Sequence, residues 1–139
     1  MVGGAGPGGG DRGRPAGRGL IGPFGGGGRW AGRRGIQYHE ENDPRYRHAG
    51  IDIYLGSRFQ GQGAGREAVA LLARYLFEQR GHHRITIDPA AANDQAIRSY
   101  TKAGFRPVGV MRQYERGGDG QFHDGLLMDL LRGELAGNL

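Results

Sequence analysis

The stretch FQGQGAGREAVALLARYLFEQR, Phe59 to Arg80, joins a glycine-rich loop directly to an apolar-periodic segment. Gly61, Gly63 and Gly65 alternate in the loop, although glycine is among the poorest residues for starting a helix. Such glycines leave the backbone bare, so that its N–H groups can approach a ligand closely at a helix N-terminus. The stretch therefore predicts an anion site that opens a helix over residues 63–79.

The chain from Ile36 onward reads as alternating strands and helices. The pattern predicts strands over 36–40, 50–55 and 84–88, a second helix over 94–103, and a closing hairpin over 105–116 and 123–131. This β-β-α-β-α-β-β order indicates an α/β (α+β) fold, a mixed sheet with flanking helices. Because a helix connects strands 50–55 and 84–88, these two strands are predicted to be parallel neighbours. The inner face of the first helix is predicted from its spacing to comprise Ala68, Leu71, Leu72, Tyr75 and Leu76.

Charge and glycine are concentrated at the start of the 139-residue chain. Residues 1–35 hold 16 of the 30 glycines, six arginines and a single acidic residue, whereas the remainder carries 13 basic and 13 acidic residues. This composition predicts a disordered tail over 1–35 and a folded domain over 36–139. Phe24 and Trp30 could stack on RNA bases, but the Arg-Gly spacing is irregular and nucleic-acid binding is not favoured. A linker and a misassigned start of the gene are the other interpretations of this segment.

Several classes of protein are disfavoured by what the sequence contains. There is no cysteine, which removes disulfides, thiolate metal sites and a cysteine nucleophile. No apolar run is long enough for a signal peptide or a membrane span, so a cytoplasmic protein with no membrane partner is expected. The adjacent pair His82 and His83 cannot both face one metal from a regular element, and no metal is assigned.

Two common phosphate loops can be tested against Gln60 to Gly65. A dinucleotide fingerprint starting at Gly61 would need glycine at position 66, where Arg66 stands, and the Gly-Lys-Ser/Thr triplet of a P-loop is missing. The order Gln-x-x-Gly-x-Gly between a strand and a long helix instead resembles motif A of the GNAT acetyltransferases. The later stretch NDQAIRSYTKAGF, Asn93 to Phe105, resembles the family segment that follows it. Over about Ile36 to Leu131 the subgroup that the chain resembles is the aminoglycoside 6′-N-acetyltransferases.

The resemblance implies acetyl-CoA as co-substrate, with its pyrophosphate held by the glycine loop and its pantetheine arm and thioester held by backbone N–H groups of a splayed strand. The residues that it assigns to acetyl-CoA are Ile53, Tyr54, Leu55, Gln60, Gly61, Gln62, Gly63, Ala64, Gly65, Arg66 and Asn93.

Two residues match catalytic positions of the family. Tyr100 corresponds to the tyrosine that protonates the CoA thiolate, although a core tyrosine on the inner helix face is also compatible with its position. Asp52 corresponds to the carboxylate that contacts the substrate amine; the alternative is an ordinary solvated strand residue. A carboxylate near pKa 4 is a weak base for an ammonium group, so Asp52 is expected to orient the amine. Without cysteine, direct transfer in a ternary complex is expected.

An acidic cluster is predicted around the acceptor site. Its members are Glu40, Glu41, Asp88 and Asp124, each of which could also be an ordinary surface carboxylate. Together they would attract a polycation. The acceptor is therefore expected to be a small-molecule amine, an aminoglycoside-like polycation in first place, with a protein or peptide amine as the alternative.

The sequence departs from the family pattern before Ile36. The resemblance would place a strand, two helices and a second strand there, where the Gly/Arg-rich segment stands. A partial domain with an incomplete acceptor wall, weak CoA binding and little turnover is therefore expected, and an inactive fragment is an alternative. Sheet edges left uncovered would favour association, and a homodimer is possible.

Overall fold

The computed structural model describes residues 17–20, 35–54 and 64–137, with backbone alone for 17–20 and Ala64. The elements are β1 (Gly17–Leu20), β2 (Gly35–Glu41), β3 (His48–Tyr54), α1 (Ala64–Glu78), β4 (Arg84–Ile87), α2 (Asp94–Ala103), β5 (Arg106–Arg116) and β6 (Phe122–Leu131). The described strands form one six-stranded sheet in the order β1-β2-β3-β4-β6-β5. Only β3 and β4 pair in parallel within it, and all the other neighbours are antiparallel. The predicted mixed sheet and the parallel pair are confirmed.

One part of the predicted disordered tail forms a strand. Gly17–Leu20 is β1, which pairs antiparallel with β2 from Gly17↔Glu40 to Leu20↔Gln37. The disorder prediction is wrong for these four residues, because backbone pairing with β2 satisfies their peptide groups without needing apolar side chains. Gly35 opens β2, and residues 1–16 and 21–34 lie outside the described residues.

Both described helices pack on one face of the sheet. Side chains alternate between the faces of a strand, so Ile36, Ile51, Ile85 and Leu130 point to the same side and are buried there. The helices contribute Val69, Leu72, Ala73, Leu76, Tyr100 and Ala103 to this core. The opposite face of the central strands carries polar side chains. The sheet thus separates an apolar, helix-covered side from a polar side.

The inner face of α1 is rotated from the prediction. Leu71 is 64% exposed and Tyr75 36% exposed, whereas Val69 and Ala73 are fully buried. The prediction was wrong for Leu71 and Tyr75 because α1 is apolar over much of its circumference, and spacing alone allows more than one inner face.

The C-terminal end of α1 is fixed by charged side chains. Arg47 donates to the carbonyls of Arg80 and Gly81, and Arg132 donates to the carbonyls of Phe77 and His82. Guanidinium groups at this end satisfy carbonyls that have no partner within the helix and complement the helix dipole. Neither described helix is long and apolar enough to cross a membrane.

Candidate active site

A cavity of about 360 Å³ lies at the carboxyl ends of the two parallel strands. The register of β3 with β4 stops at Ile51↔Ile87, while β3 stays paired with β2 as far as Tyr54. The two strands therefore separate after Ile51. The cavity is lined by Gln37, Ile51, Asp52, Ile53, Tyr54, Ile87, Asp88, Pro89, Asn93, Tyr100 and Glu115.

The cavity is lined from both faces of the sheet. Ile51, Ile87 and Tyr100 belong to the helix-covered side, because they form part of the apolar core. Asp52 and Gln37 lie opposite each other in the register and point to the polar side. The gap between β3 and β4 is thus lined by apolar side chains on the helix-covered side of the sheet and by polar side chains on the other side. Backbone groups of β3 beyond Ile51 that face β4 have no pairing with that strand.

Asp52 stands at the polar side of this gap. Its Oδ2 lies 3.8 Å from Nδ1 of His39, which comes from the neighbouring strand β2. The Asp52 side chain is 47% exposed, so it can meet a ligand in the cavity. The carboxylate that the sequence singled out therefore lines the cavity and has an imidazole beside it.

Asp88 follows the end of β4 and faces the same space. Its Oδ2 accepts a hydrogen bond of 2.8 Å from the hydroxyl of Tyr114. Burial raises the pKa of Asp88, and the negative charges of Asp52 and Glu115 raise it further. The same hydrogen bond raises the pKa of Tyr114 to about 12. Asp52 and Glu115 thus lie close enough to Asp88 to influence its protonation.

A distortion in β5 brings Glu115 to the cavity and Tyr114 to Asp88. The pairing of β5 with β6 shifts register between Met111 and Glu115, and Gln113 has a positive φ of 48°. Asp124 stabilises the distortion, because its Oδ1 accepts a 2.8 Å hydrogen bond from the Gln113 N–H. A bulge of this kind redirects side chains along a strand. The described side-chain hydrogen bond of Asp124 is thus with the bulge, and Asp124 is not among the residues that line the cavity.

Tyr100 reaches the cavity from α2. Its side chain is 7% exposed, and its ring packs against Phe105 with 6.2 Å between the ring centroids. Burial, with a contribution from the charge of Asp88, raises the pKa of Tyr100 to about 12. The phenol therefore stays protonated through the neutral range and can donate a hydrogen bond. It is a core residue and a cavity residue at once.

Asn93 caps the first turn of α2 beside the cavity. Its Oδ1 accepts a 3.1 Å hydrogen bond from the N–H of Ala96, as expected for an N-cap asparagine. Gly104, in the left-handed region with φ 118°, ends the helix. The predicted role of Asn93 in binding acetyl-CoA stays a prediction, while its capping role is visible.

The glycine loop is only partly described. Leu55 and Gln60 to Gly63 lie outside the described residues, so their predicted role in binding acetyl-CoA stays a prediction. Ala64 begins α1, Gly65 is buried and Arg66 is half-buried in its first turn. The predicted helix following the loop is confirmed.

Like Asp124, two further predicted members of the acidic cluster are not among the residues that line the cavity. Glu40 is 4% exposed, and its carboxylate accepts hydrogen bonds from Arg80 and from His82. Glu41 accepts a 3.0 Å hydrogen bond from the backbone N–H of Asp43. The contacts of Glu40 do not favour the predicted substrate role, because its buried oxygens are already engaged. Among the described residues no group of three or more side chains suited to a metal ion is found.

Comparison with known proteins identifies the family. A model of the acetyltransferase (GNAT) family matches residues 11–105. The chain belongs to the GNAT acetyltransferase family. The matched range begins within the Gly/Arg-rich segment, ahead of the predicted start of the domain at Ile36.

Two named relatives and one solved structure are similar to parts of the chain. A kanamycin resistance protein of Rhizobium radiobacter is 40% identical over 79 residues, which are 56% of this chain and 71% of the relative. The aminoglycoside N(6′)-acetyltransferase type 1 of Klebsiella pneumoniae is 40% identical over 75 residues, covering 53% of this chain and 36% of that enzyme. The crystal structure of a probable acetyltransferase superposes with a TM-score of 0.65 at 28% identity, over 73% of this chain and 55% of that one. The chain thus spans only part of the length of these GNAT proteins.

Sequence reasoning missed four residues that line the cavity or contact its lining. Gln37 and His39 lie two apart on β2 and so share a face, and their polar alternation was a usable signal. Glu115 and Tyr114 gave no such signal, since their approach to Asp88 depends on the bulge in β5.

Proposed function

We propose that this chain transfers the acetyl group of acetyl-CoA directly to a primary amine of an aminoglycoside-like polycation. The observation that carries the proposal is the cavity between β3 and β4, with a protonated tyrosine and three carboxylates around it. Family membership supports acetyl transfer, and the two relatives at 40% identity support the acceptor class.

The co-substrate is acetyl-CoA, as in the GNAT family. The residues assigned to it fit a thioester, because N–H groups of β3 beyond Ile51 that face β4 are free of pairing with that strand. Such N–H groups can donate to the thioester oxygen and stabilise the negative charge that develops there. Residues 60–66 and the dipole of α1 would hold the pyrophosphate.

The amine approaches from the polar side of the sheet. Asp52 accepts a hydrogen bond from it and fixes its direction, and Asp88 and Glu115 attract further positive charges of the same molecule. In the reaction a C–N bond forms and the C–S bond of the thioester breaks. Of the two protons that the ammonium group loses, one ends on the CoA sulfur and one in solvent.

Tyr100 assists the leaving group. Its phenol is protonated at neutral pH, so it can donate a hydrogen bond to the CoA sulfur as negative charge builds up there. The high pKa makes complete transfer of the tyrosine proton to a thiolate unfavourable. Tyr100 is therefore proposed as a hydrogen-bond donor through which solvent protons reach the sulfur.

A panel of acceptors tests the proposal. We expect the 139-residue chain to acetylate kanamycin and spermidine, with kcat/KM falling by about tenfold or more between low and high salt because acidic side chains attract these polycations. A peptide with a free N-terminus and neutral side chains serves as the comparison. If the peptide alone were acetylated, the acceptor would be a peptide amine and not a polycation. If none of the three compounds were acetylated, the proposed activity would be refuted.

Glu115 provides a test of the acidic rim. Glu115→Gln removes one exposed charge worth about 1 kcal/mol of attraction, so KM for kanamycin should rise about fivefold with kcat unchanged. Glu78→Gln is the matched control, because Glu78 is exposed at the end of α1 away from the cavity. Steady-state kinetics at low salt measures both. Equal KM values in the two variants would exclude Glu115 from the acceptor site.

A further inference from the structure

His39 lies beside Asp52, one of the acidic residues at the gap between the strands. In the register His39 stands opposite Gly50, and Gln37 stands opposite Asp52 in the next row. Nδ1 of His39 is 3.8 Å from Oδ2 of Asp52, and its charge also acts on Asp88. The imidazole is thus next to the carboxylate that meets the cavity, on the polar side of the sheet.

Gly50 makes room for this ring. A Cβ at position 50 would collide with Cε1 and Nε2 of His39, so the imidazole lies directly over the bare backbone of β3. The absence of a side chain at Gly50 allows the ring to reach across from β2 toward Asp52. The local sequence of both strands therefore builds the His39–Asp52 pair.

The imidazole of His39 is a stronger base than the carboxylate of Asp52. The amine arrives as an ammonium ion, and a carboxylate with a pKa near 4 is too weak a base to take its proton efficiently. An imidazole titrates close to neutral pH, where a general base is most effective. Placed behind Asp52, His39 can take up the proton that the amine must lose.

We propose that His39 is the proton acceptor of the acetyl-transfer reaction and acts through Asp52. The ammonium group donates to Asp52, the proton passes across this carboxylate to His39, and the neutral amine attacks the thioester carbon. The imidazolium then releases its proton to solvent. His39 is thus a positioning and proton-accepting residue, and the inference rests on the proposed function.

Other titratable groups share the surroundings of His39. On the polar side of the sheet and on the bulged part of β5 these groups are Glu41, His48, Asp52, Asp88, Tyr114 and Glu115. Of these, Asp52 is the carboxylate whose contact with His39 is resolved. The pH dependence of the variants described below distinguishes a reaction that needs the His39 imidazole from one that needs only Asp52.

The pH profile of His39→Gln tests the inference. Glutamine keeps a polar side chain but cannot titrate, so the variant must use amine that is already neutral in solution. At saturating acetyl-CoA we expect kcat/KM for kanamycin to fall about a thousandfold near pH 7, with the deficit shrinking about tenfold per pH unit above it. A purely structural defect would lower the rate equally at all pH values. His83→Gln, an exposed histidine at the far end of β4, should keep the profile of the unmodified chain.

A second variant and a second readout complete the test. Gly50→Ala keeps His39 but displaces its ring, and it should reproduce the altered pH profile with an unchanged circular-dichroism spectrum. In the unmodified chain, NMR should show the His39 titration midpoint falling when kanamycin binds, since a bound ammonium group opposes the imidazolium charge. An active chain whose profile is the same in His39→Gln, or a His39 midpoint unmoved by bound kanamycin, would overturn the role of His39 alone. Absence of both acetylation and amine binding would instead overturn the proposed function.

Discussion

Replacing Tyr100 by phenylalanine is expected to lower kcat for amine acetylation by about 100-fold while leaving KM for acetyl-CoA nearly unchanged. Phenylalanine keeps the ring that packs against Phe105, so the core around α2 is preserved. Only the hydroxyl is lost, and with it the hydrogen bond to the sulfur as the C–S bond breaks. Because that interaction strengthens in the transition state, its loss appears in kcat. Steady-state kinetics with saturating kanamycin gives the comparison.

Tyr46→Phe is the matched control for Tyr100→Phe. Tyr46 is 67% exposed in the turn between β2 and β3, so loss of its hydroxyl should leave kcat within twofold, an effect of about 0.4 kcal/mol or less. If Tyr100→Phe also stayed within twofold, Tyr100 would be a packing residue of the core, the alternative that the sequence left open. A rise in KM for acetyl-CoA with unchanged kcat would assign the hydroxyl to binding of the thioester.

The fold was predictable because its signals are local. Alternation in β2 and β3, the glycine and apolar periodicity of α1, and the Asn93 cap and Gly104 stop of α2 each specify one element from nearby residues. The crossover rule then made β3 and β4 parallel neighbours. β1 was missed because Gly17–Leu20 offers little side-chain pattern, and its pairing depends on β2, which follows later in the chain.

The site was predictable only in part, because side-chain partners are set by tertiary contacts. Asp52 and Tyr100 were found through the family resemblance, and the splay of β3 from β4 brings both to one cavity. Glu40 and Asp88 look alike in the sequence because both are acidic. Since side chains alternate along β2, however, Glu40 points to the helix-covered side, where its carboxylate accepts a hydrogen bond from Arg80. Composition could identify an acidic cluster, but which face each carboxylate occupies follows from register and bulges.

Glu40→Gln is expected to lower the free energy of unfolding by about 2 kcal/mol at neutral pH, because it removes the charge of a buried carboxylate that accepts hydrogen bonds from the half-exposed Arg80 and from the buried His82. The Glu40 carboxylate accepts from Arg80 at 3.0 and 2.9 Å and from Nε2 of His82 at 2.6 Å. These bonds, with Arg80 first, lower the pKa of Glu40 to about 2 in spite of its burial. Glutamine fits the same space without the charge. Urea unfolding followed by circular dichroism measures the difference.

Glu40 and His82 both make the stability of the fold fall as the pH is lowered. Because the folded pKa of Glu40 lies below its ordinary value of 4.5, the stabilisation is complete above pH 4.5 and is lost as the pH falls toward 2. Burial lowers the pKa of His82 below 6.5, so the unfolded chain takes up that proton first and acid destabilises the fold from pH 6.5 downward. Within the described residues Nδ1 of the buried His82 has no hydrogen-bond partner, which disfavours its protonation. Both groups therefore act in the same direction.

Unfolding curves at several pH values separate the two groups. Between pH 7 and 5 the unmodified chain and Glu40→Gln should both lose stability through His82, and the loss should be larger in Glu40→Gln, because the Glu40 carboxylate opposes the lowering of the His82 pKa. Below pH 4.5 the difference should shrink, because the unfolded chain takes up the Glu40 proton before the folded chain does, and it should be largely gone near pH 2. Glu41→Gln is the control, since this neighbouring carboxylate accepts from the Asp43 N–H and should change stability by less than about 1 kcal/mol. A Glu40→Gln variant as stable as Glu41→Gln at pH 7 would show that the buried network does not hold α1 to β2, and Glu40 would again be available for a role in the acceptor site.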